Sequence, residues 1–238
     1  MLEQVKQVEG RRLYQQIADQ IRALIQQGRF RPGTRLPTER ELAQQLRVSR
    51  PSVREALIAL EIEGSVEVRM GAGVYVGKVS DRPASSLADS LGDSPIELMH
   101  ARVMLEGEVI VQACARMTPQ GLADIRQAFE DMRDAIAARR SGLEADRRFH
   151  LAIAAMTGNS VIERLVRELY DERHSPLSRK FSAHSENVRR TWVHAVEEHE
   201  AILQALEARD ALAAQARMRQ HLHASAQRWV DEGQNDWA

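Results

Sequence analysis

The sequence predicts a mainly α-helical protein with two parts: an N-terminal winged helix-turn-helix with a small β-hairpin wing, and a C-terminal, all-α antiparallel helical bundle. Helix-forming residues dominate the 238-residue chain, whereas aromatic residues, which β-sandwiches and barrels use in their strands, make up only 4%. Apolar residues recur at helical spacing along most of the chain. A segment rich in Ser, Asp and Pro interrupts this periodicity, so we place the domains at 1–77 and 95–238, with a linker at 78–94.

The N-terminal domain is predicted to contain three helices followed by a hairpin. The first helix covers residues 13–27, where apolar residues follow spacings of four, four and three. The second begins at the capping box Thr38–Glu41, and the third begins after Ser49 and ends near Gly64. Residues 66–76 then alternate like two strands around a Gly-Ala-Gly turn, which predicts the wing.

The C-terminal domain is predicted to be a bundle of six antiparallel helices joined by short turns. Pro95 and Pro119 occupy the favoured first position of the first two helices, and the third runs from about Leu143. We expect Ser160 to cap the fourth helix and Asp210 to cap the sixth, with the fifth beginning near residue 187.

The charge is divided unevenly along the chain. Residues 1–78 contain 13 Lys and Arg against 9 Asp and Glu, whereas the remainder contains 20 basic and 25 acidic residues. This asymmetry favours a polyanionic partner for the first part only. A single cysteine, Cys114, permits no intramolecular disulfide, and no apolar stretch has signal-peptide or membrane-spanning character. We therefore expect a cytoplasmic protein without a membrane partner.

The start of the third helix has the residue types that contact DNA. Arg50 and Arg54 are four residues apart on one helix face, and Arg can donate two parallel hydrogen bonds to guanine. Ser49 and Ser52 can contact a phosphate or a base at the helix N-terminus, and Arg40 in the preceding helix points to the same region. The alternative is that both arginines are simply solvated. The whole pattern favours a recognition helix for double-stranded DNA.

Three segments in the first domain carry a family resemblance: RPGTRLPTERELA at 31–43, VSRPSVREAL at 48–57 and GAGVYV at 71–76. They resemble the DNA-binding domain of GntR-type bacterial transcription regulators over nearly all of residues 11–77. The resemblance implies a homodimeric regulator, a repressor by expectation, that binds operator DNA. The positions that match the family's DNA contacts are Arg40, Arg50, Arg54 and, at the wing tip, Gly71.

Four residues of the second domain suggest a divalent transition-metal site. Asp146 and His150 are four apart on one helix, while His199 and His221 lie 11 residues before and after Asp210, at the turn between the last two helices. Residues equidistant from such a turn lie side by side. One carboxylate and three imidazoles suit Zn²⁺, with Ni²⁺ or Mn²⁺ as alternatives. The other interpretation is a coincidence among 8 histidines.

The same residues extend the resemblance to the FadR branch of the family. Many members of this branch carry an Asp-x-x-x-His pair and two further histidines in a helical effector domain, and all four candidate ligands match that pattern. Arg102 either pairs with Glu106 or clamps the carboxylate of an effector, and we favour the clamp because its position matches a pocket arginine of the family.

Segments 54–76 and 149–154 are similar to regulators of hexuronate utilisation, which implies a sugar acid as the effector. Three alternatives remain open from the sequence. The first is a regulator of the same class that responds to another hydroxy acid or an amino acid. The second is a metal-dependent hydrolase, although no His-Glu-x-x-His run is present. The third is a structural DNA-binding protein in which the four ligands are accidental.

Overall fold

The computed structural model describes residues 12–69, 71–77, 91–183 and 188–231. The fold class is confirmed, since the chain is mainly helical with one small antiparallel sheet. The chain divides into two compact units. One comprises residues 1–96 together with 174–185 and 229–238, and the other comprises 97–173 and 186–228. None of the helices in the described ranges has the length and apolarity that crossing a membrane requires.

The N-terminal unit has the predicted order of three helices and a hairpin. Its elements are α1 (Leu13–Gln26), α2 (Glu39–Leu46), α3 (Arg50–Ile62), β1 (Val66–Arg69) and β2 (Gly73–Val76). The strands pair antiparallel, with Val66 opposite Val76 and Arg69 opposite Gly73.

Two predicted capping arrangements fix where the helices of the helix-turn-helix begin. The Thr38 N–H donates to Glu41 Oε2 at 2.8 Å, and the Glu41 N–H donates to Thr38 Oγ1 at 3.3 Å. Ser49 Oγ accepts from the Ser52 N–H at 3.2 Å. Each cap satisfies N–H groups that the first helical turn leaves without intrahelical partners, so α2 and α3 begin at these residues.

The bundle contains the six predicted helices. They are α4 (Pro95–Ala115), α5 (Pro119–Ala137), α6 (Leu143–Ala155), α7 (Ser160–Asp171), α9 (Val188–Glu207) and α10 (Ala211–Asp231). A short 3₁₀ helix, Glu172–His174, follows α7. The predicted cap at Ser160 is wrong: Asn159 Oδ1 accepts from the N–H groups of Val161 and Ile162 at 3.0 and 3.3 Å. Asp210 caps α10 as predicted, accepting from the Ala213 N–H at 2.9 Å.

A seventh helix after the linker, α8 (Pro176–Ala183), was not predicted. It follows the 3₁₀ helix in the chain. It belongs to the N-terminal unit, where Leu177 and Phe181 are buried in the core that α1 and α3 form. The Lys180 Nζ lies 3.3 Å from Glu61 Oε1 on α3. Leu177 and Phe181 are one helical turn apart, and two apolar residues are too few for a periodic pattern that would indicate a helix from sequence alone.

The end of the predicted linker is packed rather than extended. Residues 78–90 lie outside the described residues, but Leu91 is buried in the N-terminal core, and its carbonyl accepts from the Leu177 N–H at 3.1 Å. Tyr14 Oη donates to the Gly92 carbonyl at 2.9 Å. The Ser94 hydroxyl donates to Glu55 Oε1 on α3 at 2.7 Å. These contacts join the last linker residues to the N-terminal unit.

Candidate metal centre and nucleic-acid interface

The four predicted metal ligands meet at one point inside the bundle. Asp146 and His150 project from α6, His199 from α9 and His221 from α10, and all four residues are buried. One ligand atom from each lies within 4.8 Å of the others. His199 Nε2 is 3.0 Å from Asp146 Oδ1 and 3.4 Å from His150 Nε2. Equal spacing about the turn at Asp210 therefore brings the two distant histidines together.

Each imidazole is held through its Nδ1 atom, which leaves Nε2 directed at the common point. His150 Nδ1 contacts Glu106 Oε2 at 2.5 Å, and His221 Nδ1 contacts Glu198 Oε2 at 2.8 Å. His199 Nδ1 lies 2.6 Å from the Ala195 carbonyl, which can only accept. A proton on Nδ1 puts the lone pair on Nε2, and metal-ligating histidines are typically oriented by partners of this kind. The donor set therefore fits a divalent cation.

The protonation of the cluster also suits a cation. Burial, together with the neighbouring His199, lowers the pKa of His221 to about 3, so this imidazole is neutral at pH 7. Burial also lowers the pKa of His150, although the Glu106 carboxylate opposes the shift. Burial alone would raise the pKa of Asp146, but the contact with His199 and the neighbouring His150 and Arg173 hold the pKa of this carboxyl well below its usual range. A charged carboxylate and neutral imidazoles are the ligand forms that Zn²⁺ binds.

Two further side chains hold Asp146, and the sequence analysis did not identify them. Tyr170 donates its hydroxyl hydrogen bond to Asp146 Oδ2, and Arg173 Nη1 lies 3.2 Å from the same oxygen. Oδ1 is thereby left to face the histidines. Tyr170 and Arg173 follow Asp146 by 24 and 27 residues, and no local spacing links them to it.

Arg102 lies beside this cluster, and the structure shows one of the two alternatives considered from the sequence, the pairing with Glu106. Its Nε donates to Glu106 Oε1 at 2.6 Å, so the pairing with Glu106 exists. Its guanidinium carbon stacks over the Tyr170 ring, 4.9 Å from the centroid. Its Nη2 is buried and has no hydrogen-bond partner among the described residues. A buried donor without a partner is costly, so a group that accepts from Nη2 would be favoured here.

Glu106 connects Arg102 to the metal ligands. Burial would raise its pKa, but the charge of Arg102 and the contact with His150 lower the pKa to about 2. From the sequence, Glu106 was expected only as a partner of Arg102. Its contact with His150, 44 residues along the chain, depends on how α4 and α6 pack. Glu198 could have been found from sequence, because it precedes His199 and is nearly as far from the turn as His221.

The N-terminal unit places some of the predicted DNA contacts on its surface. Arg40 and Ser49 are exposed, and Arg50 is partly exposed at the start of α3. Ser52 is half-buried, and its hydroxyl contacts the Ser49 hydroxyl at 2.7 Å. Gly71 is exposed at the tip of the wing with φ at +66°, a backbone conformation that favours glycine.

Arg54 does not lie on the exposed face of α3, where the sequence predicted it. It is buried, and its Nε and Nη2 atoms donate to the two oxygens of Glu39 at 2.8 and 2.9 Å. This forked geometry is the strong form of an Arg–carboxylate pair. Arg50 Nη2 lies 4.0 Å from Glu39 Oε2. Arg54 thus fixes α2 against α3, and its contact with DNA stays a prediction.

Two arginines that the sequence analysis did not select lie beside the wing. The Arg35 guanidinium covers Gly73, where a Cβ atom would come within 2.5 Å of Arg35 Nε. Arg69 stacks on the Tyr75 ring, with its guanidinium carbon 4.2 Å from the centroid. Both arginines are exposed, and Arg69 Nη2 also lies 3.0 Å from Glu67 Oε2 on the same strand.

Comparison with known proteins agrees with these features. Residues 13–76 match the family described as bacterial regulatory proteins, gntR family, and residues 97–224 match the FCD domain. The "Uxu operon transcriptional regulator" of Escherichia coli K12 is 38% identical over 232 residues, which cover 93% of this chain and 88% of that protein. The chain belongs to the GntR family. This GntR regulator is therefore a DNA-binding transcription regulator, and the hydrolase alternative does not hold.

Two further relatives come from the same organism. The "Exu regulon transcriptional regulator" is 37% identical over 220 residues, which cover 90% of this chain and 83% of that protein. The "Putative L-lactate dehydrogenase operon regulatory protein" is 34% identical over 224 residues, which cover 89% of this chain and 84% of that protein. The matches to the Uxu and Exu regulators, which cover most of each chain, agree with the resemblance to regulators of hexuronate utilisation noted from the sequence.

Proposed function

We propose that this GntR regulator is a homodimeric repressor of sugar-acid catabolic genes, released from its operator when a hexuronate carboxylate binds beside a metal ion in the bundle. The observation that carries the proposal is the position of Arg102. Its buried, unpartnered Nη2 belongs to the same contact network as the ligands Asp146 and His150. A carboxylate bound there would meet a cation and a guanidinium together.

Zn²⁺ is the metal we propose for the cluster formed by Asp146, His150, His199 and His221. Three imidazoles and one carboxylate match its ligand preference, while Ni²⁺ and Mn²⁺ remain alternatives. The ion would supply a fixed positive charge for the effector, and Arg102 would orient the carboxylate. Glu106, Glu198 and Tyr170 would keep the ligands in place.

DNA binding is proposed to centre on the N-terminus of α3. Arg50 would contact a base in the major groove, and Arg40, Ser49 and Ser52 would contact the phosphate backbone or base edges. Gly71 would let the wing approach the DNA closely. In this proposal Arg54 acts mainly by holding α2 and α3 together through Glu39. A homodimer would bind a palindromic operator because each subunit contacts one half-site.

The relatives support the proposed effector class, which is tested separately from the regulator class. The Uxu and Exu regulators support a sugar acid, and the L-lactate dehydrogenase operon regulatory protein supports another hydroxy acid as the second candidate. Both classes carry a carboxylate with an adjacent hydroxyl group. Any effector must bind the DNA-free conformation better than the DNA-bound one, by about 1–3 kcal/mol for a typical allosteric coupling.

The test uses operator DNA selected from a random-sequence library with the purified protein. Fluorescence anisotropy then measures operator binding in the presence of glucuronate, galacturonate, fructuronate, lactate, amino acids and acyl thioesters. We expect a sugar acid to weaken binding in the metal-loaded protein. Release by lactate alone would replace the sugar acid with the second candidate. If no carboxylate binds the protein, as measured by calorimetry, the sensing role of the bundle is refuted.

A further inference from the structure

The residues just before α2 extend the wing sheet toward the turn between its two strands. The Gly33 N–H donates to the Val76 carbonyl at 2.8 Å, and the Leu36 N–H donates to the Val74 carbonyl at 2.8 Å. Between them, Arg35 forms an antiparallel bridge with the same strand. Val76 lies at the end of β2 remote from the turn, so the segment runs from that end toward the wing tip.

The Arg35 side chain lies beside the wing and near the first turn of α2. It covers Gly73, where a Cβ atom would come within 2.5 Å of Arg35 Nε and 2.9 Å of Arg35 Nη2. Hydrogen bonds from Thr38 lower the pKa of the Glu41 carboxyl. The charges of Arg40 and Arg35 act on this pKa in the same direction, so both guanidinium groups lie near one carboxylate.

Arg35 is an exposed cation, and among the described residues no carboxylate lies within salt-bridge distance of it. Arg69, the other arginine beside Gly73, differs: its Nη2 lies 3.0 Å from Glu67 Oε2, and its guanidinium stacks on the Tyr75 ring. The paired backbone and the packing on Gly73 restrict Arg35 before any ligand is bound. This restriction lowers the entropy cost of a contact to its guanidinium.

We propose that Arg35 binds a phosphate of the operator backbone, next to the phosphate that Arg40 contacts and on the side of the wing. The inference rests on the DNA surface in the proposed function, where Arg40 contacts the backbone and Gly71 lets the wing approach the DNA. Arg35 lies near Arg40 and covers the glycine two residues from Gly71, so it occupies the surface between these two contacts. A guanidinium can bind a phosphate through two parallel hydrogen bonds.

The first experiment measures how operator affinity depends on salt concentration. For each phosphate that a protein cation neutralises, the logarithm of the association constant falls with the logarithm of the salt concentration with a slope of about −0.9. Arg35→Gln should therefore make the slope less negative by about one for each bound subunit. It should weaken binding to every single-base operator variant by the same factor, because a phosphate contact carries no sequence information.

The second experiment identifies the phosphate. A series of operators carries one uncharged methylphosphonate in place of a phosphate, at successive positions along each strand. Wild-type protein should bind more weakly wherever a contacted phosphate is neutralised. With Arg35→Gln, one of these positions in each half-site should no longer affect binding, because the contact to it is already absent. A side chain with only a structural role would leave this pattern unchanged.

Two further variants serve as controls. Arg35→Lys keeps the positive charge and should keep most of the wild-type salt slope, although it loses the forked hydrogen bonds. Arg31→Gln removes an equal charge from the same exposed loop, but Arg31 precedes the paired segment, at the end remote from the wing tip. It should leave the salt slope unchanged. Thermal unfolding followed by circular dichroism should be like that of the wild type for every variant, since both side chains are exposed.

The outcomes separate this inference from the proposed function. A wild-type salt slope and methylphosphonate pattern in Arg35→Gln would overturn the inference, and so would an equal change of slope in Arg31→Gln. A changed base preference at one operator position would show that Arg35 contacts a base and would also overturn it. If Arg50→Ala leaves operator binding unchanged while Arg35→Gln reduces the slope, the proposed recognition role of α3 fails and the phosphate contact stands. Reduced slopes in Arg35→Gln alone, with one position lost from the methylphosphonate pattern, support the inference.

Discussion

Glu198 offers a way to test the metal centre without removing a ligand. Its Oε2 accepts from His221 Nδ1 at 2.8 Å, and the hydrogen bonds from His221 and Arg228 overcome burial and lower its pKa to about 2. The carboxylate is therefore charged at pH 7 and fixes the tautomer of His221. Removing such a partner typically lowers metal affinity by about 10- to 100-fold. This corresponds to about 1.4–2.8 kcal/mol of binding free energy.

Glu198→Ala should show this loss with little change in folding. The side chain is about one quarter exposed, and it also pairs with Arg228 at 2.7 and 2.9 Å. A partly exposed ion pair of this kind contributes no more than about 1 kcal/mol to stability. Glu198→Gln should fall between Ala and the wild type, because an amide oxygen can still accept from Nδ1 but carries no charge.

The assay is a competition titration of metal-free protein with Zn²⁺ and a chromophoric chelator. Glu197→Ala is the control, because Glu197 is exposed and, within the described part of the chain, its carboxylate contacts only His194 Nδ1, at 3.5 Å. We expect wild-type affinity for this control and a graded loss for the two Glu198 variants. Equal Zn²⁺ affinity for Glu198→Ala, Glu197→Ala and the wild type would refute the proposed role of Glu198 and weaken the case for His221 as a ligand.

The remaining predictions concern three arginines. Arg50→Ala should weaken binding to the selected operator by about 1–3 kcal/mol and relax the sequence preference. Fluorescence anisotropy with single-base operator variants measures both effects. An unchanged sequence preference would show that Arg50 does not contact bases. Arg54→Ala should lower the free energy of unfolding by about 3–5 kcal/mol, because Glu39 would remain buried without its forked partner. A thermal midpoint like that of the wild type would contradict this. Arg102→Lys should abolish effector-induced operator release while it preserves the positive charge beside Glu106, whereas Arg102→Ala should also destabilise the bundle. Calorimetry, which measures thermal unfolding and effector binding, separates the two effects. A normal effector response in Arg102→Lys would exclude the clamp.

The sequence predicted the features that depend on local pattern. Helical spacing and the Thr38–Glu41 capping box located the helices of the N-terminal unit, and alternation located the hairpin. The equal distances of His199 and His221 from Asp210 predicted their meeting, because the geometry of an antiparallel helix pair follows from the turn alone.

Features that depend on tertiary packing were beyond sequence reasoning. The contact of Arg54 with Glu39 joins residues 15 positions apart on two helices, and spacing along α3 alone placed Arg54 on the exposed face. The partners of Asp146 and His150, namely Tyr170, Arg173 and Glu106, come from other helices at no characteristic distance in sequence. Helix α8 was missed because two buried side chains do not make a periodic pattern.

The most direct test of the account is operator release measured at fixed protein and DNA concentration with increasing galacturonate. Wild-type protein loaded with Zn²⁺ should release the operator, whereas metal-free protein and His150→Ala should bind the operator with wild-type affinity and show no release. Release of the operator from His150→Ala at the same galacturonate concentration as from the wild type would contradict the account, because sensing would then not need the cluster that α6, α9 and α10 assemble.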